Sequence, residues 1–208
     1  MAVQNRHFLA ALLPLLAAVG CGEPANPRPN PHDSKYESIV VEGRESADCV
    51  LDTATGLLWE VKSDEPGLRD WRNTYSWFNP GEAHGELDYR GLPNGGVCIG
   101  SDCDTWDYVR AVNAAALCGF SDWRLPTKDE FLSITDLSKA SSPPTVSLAA
   151  FPYTQAAEYW TANDYSFQYD SAWAWNFQYG HDRVDWKKSA KYLRVLRGEA
   201  RELQAVKE

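Results

Sequence analysis

The chain has 208 residues, 44% of them hydrophobic and 24% charged, which is enough length and apolar content for one domain with its own core. Its 29 acidic residues outnumber its 20 basic ones, for a formal net charge of −9. That balance argues against a polyanionic partner, and nucleic acid is not an expected ligand.

Residues 1–20 read as a lipoprotein signal peptide. Arg6 supplies the positive start, and the apolar run FLAALLPLLAAVG is too short for a bilayer span and is interrupted by Pro14. The following Ala18-Val19-Gly20-Cys21 resembles the lipobox of bacterial lipoproteins, which implies diacylation of Cys21 and a membrane partner through that lipid anchor. Gly22 is not an aspartate, so by the usual sorting pattern the expected location is the cell envelope at the outer membrane. Residues 21–46 form the lipidated N-terminus and a tether, since EPANPRPNPHDS alternates proline with polar residues and has almost nothing to bury.

With Cys21 assigned to lipid, Cys49, Cys98, Cys103 and Cys118 remain, an even set in an exported chain. Three pairings are open; Cys98 with Cys103 across a short loop, and Cys49 with Cys118 as a long staple, is the favoured one. Zinc would need further ligands at tetrahedral spacing, which the sequence does not offer near this pair. Asp102, Asp104 and Asp107 cluster without an EF-hand loop, so no metal and no cofactor are expected.

The domain proper spans residues 47–198, followed by a polar tail, 199–208. Cys49–Asp52 and Leu57–Glu60 flank Thr53-Ala54-Thr55-Gly56, which predicts a hairpin with glycine in the turn. From about 62 to 100 the chain is polar, aromatic and glycine-rich without a period, and reads as a long functional loop or insertion. DTWDYVRAVNAAALCG then predicts a helix with Asp104 or Thr105 as N-cap, a stripe of Val109, Val112 and Ala116, and Gly119 as a left-handed stop. A second helix follows a Thr127/Glu130 capping box, with Phe131, Ile134 and Leu137 as its buried stripe. Trp123-Arg124-Leu125-Pro126 joins the two helices. Trp123 and Leu125 are expected to bury and Pro126 to force extended backbone, while Arg124 either points outward or bridges a carboxylate such as Asp122 or Asp129, with a guanidinium reaching a ligand as the functional alternative. The C-terminal third reads as sheet: EYWTAND, then SAWAWNFQYG with Trp173, Trp175, Phe177 and Tyr179 on one face, then RVDW and KYLRVLRG. Two helices packed on short antiparallel strands make an α+β domain.

The ordered series VLDTATGLLWE, AVNAAALCGFSDWRLPTKDEF, EYWTAND, AWAWNFQYG and LRVLRG resembles the C-terminal domain of bacterial collagen-like adhesins, the Lcl C-terminal domain, over about residues 47–198. The resemblance implies a C-type-lectin-like fold related to that of formylglycine-generating enzymes. It also implies that Gly56, Leu57, Trp59, Trp123, Arg124, Leu125, Pro126, Glu130, Trp160, Gly180, Arg194 and Arg197 are fold determinants.

The adhesin that names this family binds sulfated glycans, which the acidic balance here opposes. A local basic patch of Arg183, Lys187, Lys188, Lys191 and Arg194 could still act, although a charge cluster is more often a solvated face. Nine tryptophans and ten tyrosines instead favour a non-catalytic recognition or adhesion module for neutral glycans or protein partners. The candidate ligand residues are Trp71, Tyr75, Trp77 and Phe78 in the long loop, and Asn163, Asp164 and Tyr165. The alternative is an envelope enzyme on a formylglycine-generating scaffold, which would need a redox-active cysteine pair. No hydrolase, metalloprotease or phosphate-binding motif is present, and the histidines, His7, His32, His84 and His181, make a poor catalytic set.

Overall fold

Residues 33–42, 47–82 and 87–200 are described by the computed structural model. The leader, Cys21, His7, His32, His84, the proline-rich part of the tether and the tail beyond residue 200 lie outside them. Among the described residues, β1 (Tyr36–Ile39), β2 (Cys49–Asp52), β3 (Leu58–Glu60) and β7 (Leu196–Arg197) form an antiparallel sheet in that order. A second antiparallel sheet holds β4 (Glu158–Asp164), β5 (Ser171–Asn176) and β6 (His181–Trp186). The helices are α1 (Thr105–Ala114) and α2 (Lys128–Ile134). The α+β expectation therefore holds. The segment expected to be tether does contribute β1, whose Tyr36 lies opposite Asp52 and whose Ile39 lies opposite Cys49.

Alternation along the strands builds two cores rather than one. Cys49, Leu58, Trp160, Ala172 and Ala174 face one core with Tyr108 and Val112 of α1 and with Trp123. Their neighbours Val50, Trp59, Tyr159 and Trp175 face the other, with Phe131 and Ile134 of α2. The central strands are thus buried on both faces, with α1 contributing to one core and α2 to the other. The strict alternation expected through Tyr179 stops at Asn176: Phe177 is buried, whereas Tyr179 is exposed in the turn that Gly180 closes. Gly180 has φ 74°, and an added Cβ would stand 2.6 Å from Leu137 Cδ2.

Local signals placed both helices. Asp104 caps α1 by accepting from the Asp107 amide, and Thr127 and Glu130 form both halves of the capping box on α2. The buried stripe of α1 is Thr105, Tyr108 and Val112, while Ala116 is exposed and left-handed, because α1 ends at Ala114. Leu137 is likewise exposed, since α2 ends at Ile134. The cysteines pair as favoured, Cys49 with Cys118 and Cys98 with Cys103.

The segment 62–100 is not a structureless loop. Single-residue bridges hold it: Thr74 to Val97, Tyr75 to Lys191, Ser76 to Asp104, and Phe78 to Gly91. One-residue ladders leave no period in the sequence, which is why pattern reading misses them.

A buried ionic knot joins these parts. The Glu60 carboxylate, fully buried on β3, accepts from the Tyr108 hydroxyl and the Val195 amide and pairs with Lys62 Nζ at 3.0 Å. Lys62 Nζ also donates to the Tyr108 hydroxyl at 2.6 Å, and Arg194 donates to the Glu60 carbonyl at 2.6 Å and to Thr154 Oγ1 at 2.9 Å. Burial pushes the Glu60 carboxyl up, but the Lys62 ammonium, the Tyr108 hydroxyl and the Arg194 guanidinium outweigh it and hold it below its ordinary value.

Removing one member of such a set strands the others in a dry interior. Glu60→Ala should lower the unfolding free energy by about 3–5 kcal/mol in a denaturant titration. Arg90→Ala, at an exposed pair, should stay within about 0.5 kcal/mol.

Stability should also fall at both ends of the pH scale. Glu130 and Asp185, like Glu60, titrate low: burial raises each, and Arg124 and Lys191 respectively overcome it. A carboxyl held low binds fewer protons folded than unfolded, so its contribution is complete above the ordinary glutamate value of 4.5 and drains as pH falls. Burial raises Tyr75, Tyr108 and Tyr159, the last to about 12, so their contribution is lost as pH climbs past 10. Lys62, depressed to about 8 chiefly by burial, works in the opposite sense between about 8 and 10.5. A thermal-midpoint series should show a neutral plateau with an acid drop that is shallower in Glu60→Gln. An acid limb of equal slope in both chains would remove Glu60 from the account.

Candidate functional site

The structure separates the ligand candidates. Tyr75 and Trp77, expected in a functional loop, are buried in the α1-side core. Trp77 donates its indole N–H to the Thr161 carbonyl at 3.0 Å, so it is a strut between the 62–100 segment and β4. Trp71 is half-buried, donates to Asp64 Oδ1 at 2.7 Å and lies beneath Arg72. Asn163 accepts from the Lys128 amide at the start of α2, and Asp164 pairs with the buried Lys187 at 2.6 Å. Phe78 is half-buried, and Tyr165 packs on Phe167 and Trp173.

The Trp123–Pro126 connection is scaffold in its contacts. Trp123 is buried and donates to the Leu117 and Phe120 carbonyls. Arg124 forks onto Glu130, at 2.9 and 2.6 Å, and onto the Gly198 carbonyl at 2.8 Å. Its partner is therefore the capping-box glutamate rather than Asp122 or Asp129; Asp122 is taken by Arg197. Leu125 is half-buried, and Pro126 is buried.

The basic cluster also dissolves. Arg194 is fully buried, and Lys191 joins Glu158 and Asp185. Arg183 reaches Glu158 at 3.3 Å. Lys187 is 1% exposed and gives its ammonium to Asp164, to the Tyr89 carbonyl at 2.5 Å and to the Tyr169 carbonyl at 2.9 Å. Arg183 stays exposed beside Glu158, and Lys188 is at the surface 4.4 Å from the Trp186 ring centre.

Lys187 lines a cleft of about 280 Å³. One wall is Asp88, Gly91 and Leu92; the other is Tyr169 and Asp170 with Trp186 and Lys188 at the end of β6. Trp186 and Tyr169 are 49% and 42% exposed, large rings left in water beside polar groups. Tyr89 meets Tyr169 edge-on at 6.2 Å, which fixes the two walls against each other. Gly91 has φ 86° and lies so close to the Trp77 carbonyl that a Cβ would stand 2.3 Å away, so the wall can hug the core only with glycine there. Arg90 forks onto Asp88 and, by those hydrogen bonds first, holds its carboxyl down at about 2. Asp170 has a weaker tie, a 3.4 Å contact from the Ser171 hydroxyl.

Two other hollows are less equipped. One of about 260 Å³ lies between Phe78, Trp106, Val109 and Leu125, and its only charged group, Arg124, is committed to Glu130. A larger one of about 420 Å³ lies beside Cys118, with Arg69 bound to Asp48 and to the Val61 carbonyl.

Sequence reasoning named Tyr165 but missed Tyr169, Asp170 and Trp186. The available signal was aromatic residues at every second position of a polar stretch, Tyr165, Phe167 and Tyr169, ending in an aspartate.

Comparison with the curated proteins and with the solved structures gives no match. The model of the Lcl C-terminal domain matches residues 48–197, which takes in both sheets from β2 onward, both helices and the cleft. The chain therefore belongs to the Lcl C-terminal domain family.

Proposed function

We propose that this chain is a non-catalytic, lectin-like module for recognition or adhesion, held at the bacterial cell envelope by a lipid on Cys21. The observation that carries the reading is the cleft between Tyr169 and Trp186, where exposed rings stand beside polar groups on a well-braced surface. Family membership supports an adhesin-type role. The pairing of β3 near the start of the domain with β7 at its end supports the C-type-lectin-like fold that the resemblance implies.

The enzyme alternative is less well supported. Chemistry of the formylglycine-generating type would need a reactive cysteine pair in a cleft. Here Cys118 lines the hollow of about 420 Å³ but is bonded to Cys49, bracing β2 against the turn after α1, and neither Cys98 nor Cys103 lines the Trp186 cleft.

Two measurements test the proposal. Full-length chain in detergent, applied at low and moderate salt to an array of neutral glycans, sulfated glycans and envelope proteins, should give a selective signal; a flat array would overturn the recognition role. Cys21→Ala should move the protein from the membrane to the soluble fraction of the producing cells, and membrane retention of that variant would overturn the lipid tether.

A further inference from the structure

We infer that the Tyr169–Trp186 cleft is a subsite for a single uncharged pyranose unit of a glycan, read by ring stacking with Asp170 and Lys188 as the hydroxyl-binding pair. The inference rests on the recognition role proposed for the same cleft and adds its ligand class and its contact residues.

Size is the first ground. At about 280 Å³ the cleft is just below the usual range of ligand pockets, roughly 300–1,000 Å³, which suits one sugar ring and not an element of a folded partner. One wall carries the two exposed rings, Tyr169 and Trp186, and flat aromatic faces match the C–H faces of a pyranose.

Charge is the second. A polyanion would need several uncommitted cations converging on the cleft. Lys187 is ion-paired with Asp164 and donates to the Tyr89 and Tyr169 carbonyls, so its charge is already matched, and Arg90 is forked onto Asp88. Lys191 and Arg183 face Glu158 and Asp185. What is left is one ammonium and one carboxylate, Lys188 and Asp170: a donor and an acceptor of opposite sign that together suit an uncharged polyhydroxyl ligand. Lys187 also ties the carbonyls of Tyr89 and Tyr169 to one point, so both walls are positioned before a ligand arrives, which lowers the ordering cost of binding.

Isothermal titration of the full-length chain in detergent with cello-, chito- and manno-hexaose, and with a heparin hexasaccharide, tests this. At least one neutral hexaose should bind with an affinity that hardly changes between low and moderate salt, and more tightly than heparin. Trp186→Ala should weaken it about tenfold and Asp170→Asn severalfold, while Phe167→Ala, at a ring 88% exposed but outside the cleft, should leave it unchanged. Tyr169→Phe, which keeps the ring, should retain binding that Tyr169→Ala loses, and equal thermal midpoints would show that the variants fold. Neutral-sugar affinity untouched by Trp186→Ala and Tyr169→Ala would overturn the site and leave the recognition role standing. A heparin preference abolished by salt would overturn the ligand class. No neutral sugar bound, beside a selective array signal for protein or sulfated probes, would likewise sink this inference alone; a silent titration with a flat array would sink both.

Discussion

The Glu60 carboxylate is the point on which the other contacts converge. It lies on a strand whose neighbouring residues, Leu58 and Trp59, face opposite cores, so both layers are registered to its position. An isolated buried carboxylate is very costly, and this one is tolerable only with Lys62, the Tyr108 hydroxyl and the Val195 amide all in place. Those partners come from β3's own continuation, from α1 and from the segment before β7. The knot therefore links β3 to parts that pattern and propensity alone would leave loosely related: a shifted α1 or a slipped C-terminal segment would leave a charge unpaired.

The same rule recurs wherever an irregular segment meets a sheet. Lys35 reaches Asp52 at 3.1 Å and the Ser133 carbonyl at 2.7 Å, tying the approach to β1 to the hairpin and to α2. Arg69 fastens the early part of the 62–100 segment to Asp48, and Lys191 fastens the turn after β6 to Glu158 on β4. Loops without hydrophobic period are ordered here by side-chain cations that reach carboxylates and carbonyls. The consequence is electrostatic: in a chain with more acids than bases, much of the positive charge of the C-terminal third is used internally, and the basic cluster seen in the sequence does not become a basic surface.

Legibility in the sequence followed the range of the interaction. The hairpin at Gly56, the Asp104 cap, the Thr127–Glu130 box and the limits of β4 are set by residues within a few positions of one another, and all were readable. The fork of Arg124 onto Glu130 was half readable, since an acidic partner was expected but the capping glutamate was not recognised as serving twice. Tyr75 and Trp77 were misassigned because an aromatic residue in a polar, aperiodic stretch looks the same whether it turns inward or outward. What decides is contact with Lys191 and Thr161, more than eighty residues away, which no local pattern encodes.

The fate of the nine tryptophans explains why a site arises at the end of β6. Trp59, Trp77, Trp123, Trp160 and Trp175 are buried, and of the half-buried pair Trp71 lies under Arg72 while Trp173 lies under Lys128 and against Tyr165. Only Trp106 and Trp186 keep wide exposure. A large ring left in water forgoes stabilisation of about 1.5–3 kcal/mol that burial would give. Trp106 recovers part of that on the apolar hollow it helps to line. Trp186 is less sheltered: β6 is the open edge of its sheet, its companions Asp182, Arg183 and Asp185 are charged, and Lys188 lies over its ring. Charged neighbours protect an exposed strand from pairing with another chain, and they do so without hiding the indole. A fold that satisfies nearly every buried charge and shelters seven of nine indoles, yet holds this one beside Tyr169 and Asp170 on walls braced by Lys187, has its least stability-driven surface at the cleft.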